Sequence, residues 1–121
     1  MRTADALRAF LEDGDVTVTV KGLSMSPAFA PGQRVTVSRR RFLLPGDVAV
    51  FALDGQLVVH RVLGIHPFRG RLLAQGDAAP RADRLVPLAD VLGAVRTPVP
   101  LRTRARALAR GLRLALGAAF A

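Results

Sequence analysis

The chain has 121 residues, half of them apolar, a formal charge of +9 and no cysteine. That length suits one domain with one core, and the missing cysteines exclude disulfides, thiolate catalysis and thiolate metal sites. Trp and Tyr are absent, so the core falls to Val, Leu, Ala and Phe; Lys21 is the only lysine among 18 basic residues, and such a balance points to anionic partners, although a GC-rich genome yields the same arginine bias.

Residues 3 to 12 read as a helix, with Leu7, Phe10 and Leu11 at helical spacing and Thr3 as the N-cap. "DVTVTV" alternates and predicts a strand over about 15–21. "SPAFAPGQ" is turn chemistry with room for one helical turn, "RVTVSR" is a second strand, and "LLPGD" is a tight turn. "VAVFAL" is a third strand, followed by the hairpin signal Asp54-Gly55. "QLVVHRVLGIH" carries apolar residues on both faces and predicts a long strand buried on both sides. "HPFRG" turns the chain, "RLLAQGD" is another strand and "AAPRADR" a loop. Residues 85–97 hold a short turn at "PLAD" and a last strand at "VLGAVR"; "TPVP" breaks the chain before a helix over 101–120. The expected fold is mainly β: an antiparallel sheet with a short N-terminal helix and a basic amphipathic C-terminal helix. The expected division is a catalytic domain over 1–100 and the helix over 101–121.

"KGLSMSPAFAPGQRV" sets Ser24 behind a glycine-bearing turn. A serine hydroxyl is a poor nucleophile until a base takes its proton. Lys21 lies three residues away, in or beside a strand, and is expected to point elsewhere. His66, before a proline at a strand end, reads as a solvated loop histidine. His60 lies within "VVHRV", where an imidazole is costly unless its nitrogens find partners; spacing alone leaves both a base and a satisfied core histidine open. A histidine base needs an acceptor on its second nitrogen, and "QGDAAPRAD" offers Asp77 and Asp83. Asp47 and Asp54 are more simply turn formers.

The boxes "GLSMSPAF-PG", "LLPGDVAVF", "VVHRVLGI" and "QGDAAPRAD", in this order and over about residues 20–97, resemble those of the signal-peptidase-like serine peptidases (superfamily S24/S26), a group that also contains self-cleaving repressor peptidases. The resemblance implies Ser24 as the nucleophile and His60 in the place where most bacterial signal peptidases carry a lysine base. That is the histidine-using pattern of the archaeal and endoplasmic-reticulum branch, whose acids fall here on Asp83 and Asp77. Gly22 stands where signal peptidases often have a second serine, as in the repressor peptidases. The oxyanion hole would then rest on backbone N–H groups, first that of Ser24.

The resemblance implies a serine endopeptidase that needs no cofactor or metal and cleaves an extended signal or leader peptide next to small residues. The alternatives are a self-cleaving switch of the repressor type, against which only about twenty residues precede the motif, and an idle peptide-binding module of the same fold. Scattered arginines with few aromatics argue against nucleic acid. No signal peptide is visible, and no run of about eighteen apolar residues is present to span a bilayer; a cytoplasmic or peripheral membrane location is expected. In residues 101–121, Leu101, Ala105, Leu108, Leu112 and Ala119 share one helical face and Arg102, Arg106, Arg110 and Arg113 another. This helix is expected either to lie on an anionic membrane surface, to pack its leucine face on the β core, or to meet a partner. Gly111 and Gly117 weaken it, which favours a helix that needs a surface to form.

Overall fold

The computed structural model describes residues 3–40, 42–66 and 69–120, with side chains described to residue 117. Helix α1 (Thr3–Asp13) leads into β1 (Val16–Thr19), β2 (Arg34–Ser38), β3 (Val48–Leu53), β4 (Gln56–His66), β5 (Arg71–Gln75), β6 (Val86–Pro87), a 3₁₀ turn (Leu88–Asp90), β7 (Val91–Val95) and α2 (Leu101–Phe120). The strands form one sheet in the order β1-β2-β7-β3-β4-β5-β6, every neighbouring pair antiparallel. The fold is therefore the expected antiparallel sheet with a helix at each end.

β3 is central, and its alternation feeds two cores. Val48 and Val50 join Leu7, Leu11, Met25, Phe29 and Val37 in one, whereas Ala49 and Phe51 join Val62, Leu72, Ala74 and Val86 in the other. A strand buried on both faces reads as a continuous apolar run, as "VAVFAL" does. The β3–β4 hairpin closes through Asp54 (φ 51°) and Gly55 (φ 79°), the pair of left-handed residues that a two-residue type I′ turn requires.

Four expectations change. Phe10 is 65% exposed, and α1 holds the core with the buried Leu7 and Leu11, Ala4 packing beside them. In β4 only Val62 and Leu63 are fully buried, because its middle borders an open cleft. The two-residue β6 goes unread in the sequence because it ends in a proline, a residue confined to sheet margins; β6 is indeed at the sheet's edge. The fourth concerns α2, which packs on β4 through Ala107 and Gly111, with Leu114 half-buried, rather than through the stripe of Leu101, Leu108 and Leu112. Leu101, Leu108, Leu112 and Leu116 are exposed. The turn residues Pro67 and Phe68 and the side chain of Ala119 lie outside the described residues.

A buried carboxylate ties α2 to the sheet. Asp47 accepts from the Leu44 N–H at 2.8 Å and pairs with Arg40 and Arg104, each at 3.1 Å. Read from sequence as a turn former, Asp47 thus also anchors the helix. Gly111 allows the close approach: a Cβ there would lie 2.7 Å from the Leu63 carbonyl oxygen.

Candidate active site

Ser24 sits in the turn that follows β1. Met25 (1% exposed) and Phe29 (6%) point inward, and the Phe29 N–H donates to the Met25 carbonyl at 2.9 Å, giving the single helical turn expected there. Burying two such side chains contributes about 1.5–3 kcal/mol each. The serine is thus carried on a turn pinned to the core.

His60 faces it from the middle of β4, opposite Ala49 of β3. Its ring meets Phe51 edge to face, with centroids 6.2 Å apart. The imidazole has a partner on each nitrogen: Nε2 lies 3.0 Å from Ser24 Oγ, and Nδ1 lies 2.5 Å from Asp83 Oδ2. The cost of placing an imidazole among apolar residues is thereby met. With the Nδ1 proton held on Asp83, Nε2 is left as an acceptor facing the serine hydroxyl. Asp83 is set by its backbone, whose N–H donates to the Ala74 carbonyl at 2.8 Å.

The two expected acids part company. Asp83 is on His60, whereas both oxygens of Asp77 are taken by Arg61, through Nε at 3.1 Å and Nη2 at 2.7 Å. Arg61 also donates to the Gly46 carbonyl at 2.9 Å. This bidentate pair ties the loop after β5 to the strand that carries His60. Two further contacts fix that loop against the serine turn: the Ala78 N–H donates to the Ser24 carbonyl at 2.7 Å, and the Asp77 N–H approaches Met25 Sδ at 3.4 Å. Among the described residues no acceptor takes the Ser24 N–H. Lys21 and His66 are exposed and stand outside the cluster.

Sequence reading missed the part played by Gly76. A Cβ at this buried position would lie 2.7 Å from the Ser24 carbonyl oxygen, 2.9 Å from Ser24 Cβ and 3.0 Å from His60 Nε2. Its signal was the glycine of the "QGD" box. Arg61, directly after His60, was quoted without a role.

An antiparallel sheet that brings a serine turn, a strand histidine and a loop aspartate into one hydrogen-bonded line defines a serine peptidase fold. The chain belongs to the Peptidase S24-like family, whose sequence model matches residues 4–79. That span contains Ser24, His60, Arg61, Gly76 and Asp77; Asp83, β6, β7 and α2 lie beyond it. No curated protein matches the chain closely.

Proposed function

We propose that the protein is a serine endopeptidase of the histidine-using kind, acting through Ser24, His60 and Asp83. The observation that carries this reading is the continuous line Ser24 Oγ–His60 Nε2 and His60 Nδ1–Asp83 Oδ2, at 3.0 and 2.5 Å. Ser24 Oγ attacks the peptide carbonyl while its proton passes to His60 Nε2. Negative charge gathers on the carbonyl oxygen, to which the Ser24 N–H donates in this reading. The C–N bond then breaks, the proton goes from His60 to the leaving amine, and the acyl group stays on Ser24. Water, deprotonated by His60, releases it and restores the serine. Asp83 holds the ring and stabilises its charged form, and Asp77 braces the loop through Arg61.

The substrate in this reading is an extended peptide with small residues at the scissile bond, cleaved from a signal or leader segment. Incubating the protein with a mixture of alanine-rich peptides and mapping the products by mass spectrometry tests it. Cleavage that disappears in Ser24→Ala supports the reading. Cleavage only within the chain itself would favour the repressor-type switch, and tight peptide binding without cleavage would favour the idle module.

A membrane-facing role for α2 accompanies this reading. Its leucine stripe is exposed (Leu101 84%, Leu112 55%) and is bordered by the exposed arginines 102, 106 and 113. An apolar face edged with arginine suits an anionic lipid surface. Among the described residues no helix is long and apolar enough to cross a membrane.

A further inference from the structure

Between the Ser24 turn, the loop after β5 and α2 lies a cleft of about 670 Å³, a size typical of ligand sites. One wall is Pro27 and Ala28, directly beyond the serine turn; the floor is Leu63, Gln75 and Gly76; the other wall is α2. The cleft adjoins the catalytic line through Gly76, which lines it and at which a Cβ would meet both Ser24 and His60. Its far wall, α2, stands outside the span matched to the family.

The charge in the cleft is one-sided. Arg61, Arg102, Arg106 and Arg110 line it, against a single carboxylate, Asp77. Both oxygens of Asp77 are used by Arg61. Among the described residues Arg110 meets only the neutral Gln75 Oε1, at 3.3 Å. Arg102 and Arg106 are exposed, and among the described residues neither meets a carboxylate. Among the described residues three cations thus converge on a concave surface without a counter-charge. Concave, one-signed surfaces focus their field on an incoming ion, and guanidinium groups suit carboxylates through paired N–H donors.

We propose that this cleft is an extended substrate subsite that selects acidic side chains on one flank of the scissile bond. The proposal rests on the peptidase reading for the meaning of the subsite, and adds the substrate class: small residues at Ser24, with Asp or Glu lying along α2. A peptide is favoured over nucleic acid because the cleft adjoins the Ser24–His60 pair at Gly76 and its lining contains no aromatic ring on which a base could stack. The apolar contributions of Leu63, Ala107 and Pro27 suit the aliphatic stems of glutamates.

The test uses the full-length Ser24→Ala protein and short fluorescent peptides: an alanine segment followed by glutamates, the reverse order, and the glutamine version of each. Anisotropy at low salt should show one glutamate peptide bound roughly tenfold or more tightly than its glutamine counterpart, a preference worth about 1.4 kcal/mol. Added salt should erode it. The double change Arg102→Glu with Arg106→Glu should abolish the preference and transfer it to a lysine peptide. Both side chains are exposed, and a circular dichroism spectrum like that of the parent verifies that the fold survives. Equal binding of glutamate and glutamine peptides overturns the proposal, as does an unchanged preference in the charge-reversed protein. A single-stranded oligonucleotide that outcompetes the glutamate peptide overturns it in favour of nucleic acid. The peptidase reading fails separately: a wild-type protein that cleaves no peptide while retaining the glutamate preference leaves the cleft standing without the chemistry.

Discussion

Replacing Gly76 with alanine adds one methyl group and changes no charge or hydrogen-bonding group, yet it should disable the site. The new Cβ would lie 2.7 Å from the Ser24 carbonyl oxygen, 2.9 Å from Ser24 Cβ and 3.0 Å from His60 Nε2. Ordinary carbon contacts begin at about 3.5 Å, so several tenths of an ångström must be found. Two of the three obstructing atoms belong to Ser24, whose carbonyl is held by the Ala78 N–H at 2.7 Å and whose turn is anchored by Met25 and Phe29. The most mobile of the three neighbours is the imidazole, which would have to leave the serine. Overpacking of this kind typically costs about 1–3 kcal/mol of stability, which most folded domains survive. A reacting group displaced by about 1 Å can lose about a hundredfold in rate. Gly76→Ala should therefore melt as one cooperative unit a few degrees below the parent, while its turnover of an alanine-rich peptide falls about a hundredfold. A variant that folds and cleaves at the parental rate would refute the packing described here.

Asp83→Asn should leave the fold intact and cost up to about four orders of magnitude in rate, as loss of the orienting carboxylate does in other triads; rates within threefold of the parent would remove Asp83 from the line. His60→Ala should be inactive because, among the described residues, nothing else is within reach to accept the Ser24 proton, and a His60→Ala protein that cleaves at the parental rate argues for another base. Gly111→Ala, normally a gain of up to about 1 kcal/mol inside a helix, should here lower the melting temperature because the methyl meets the Leu63 carbonyl; a higher melting temperature would show that α2 is not seated on β4. Leu108→Asn with Leu112→Asn should release the protein from anionic vesicles without slowing cleavage of a soluble peptide, and a full-length protein that ignores such vesicles at low salt contradicts the membrane role.

Most of the sheet was legible because its strands announce themselves by alternation and by turn residues, as "DVTVTV" and Asp54-Gly55 do. Ser24, His60 and the two aspartates were legible as residues, and the order of the motifs gave them a family. That Asp77 could merely brace the loop was an open alternative, but its partner Arg61 was not legible, because both acids belong to one loop and only its path decides which faces His60 and which Arg61. Of the three seatings open for α2, packing by the leucine face is the one the structure overturns, for a physical reason. Helical pitch finds the leucine stripe, but burial here follows the smallest residues: Ala107 and Gly111 let the helix backbone approach Leu63, and the Arg104–Asp47 pair sets the rotation. Gly111, taken from sequence as a weak point of the helix, is its point of contact. The arginine-lined cleft was invisible for the same reason, since it exists only once α2 is docked beside the serine turn.

The central claim is that Ser24 is a nucleophile activated by His60. Acylation by a serine-reactive β-lactam or fluorophosphonate probe, followed by mass spectrometry of the digested protein, tests it most directly. The account predicts one adduct, on the peptide that carries Ser24, formed slowly or not at all in His60→Ala and absent in Ser24→Ala. An unlabelled Ser24 in the folded protein, or labelling at Ser24 that proceeds equally fast without His60, would contradict it.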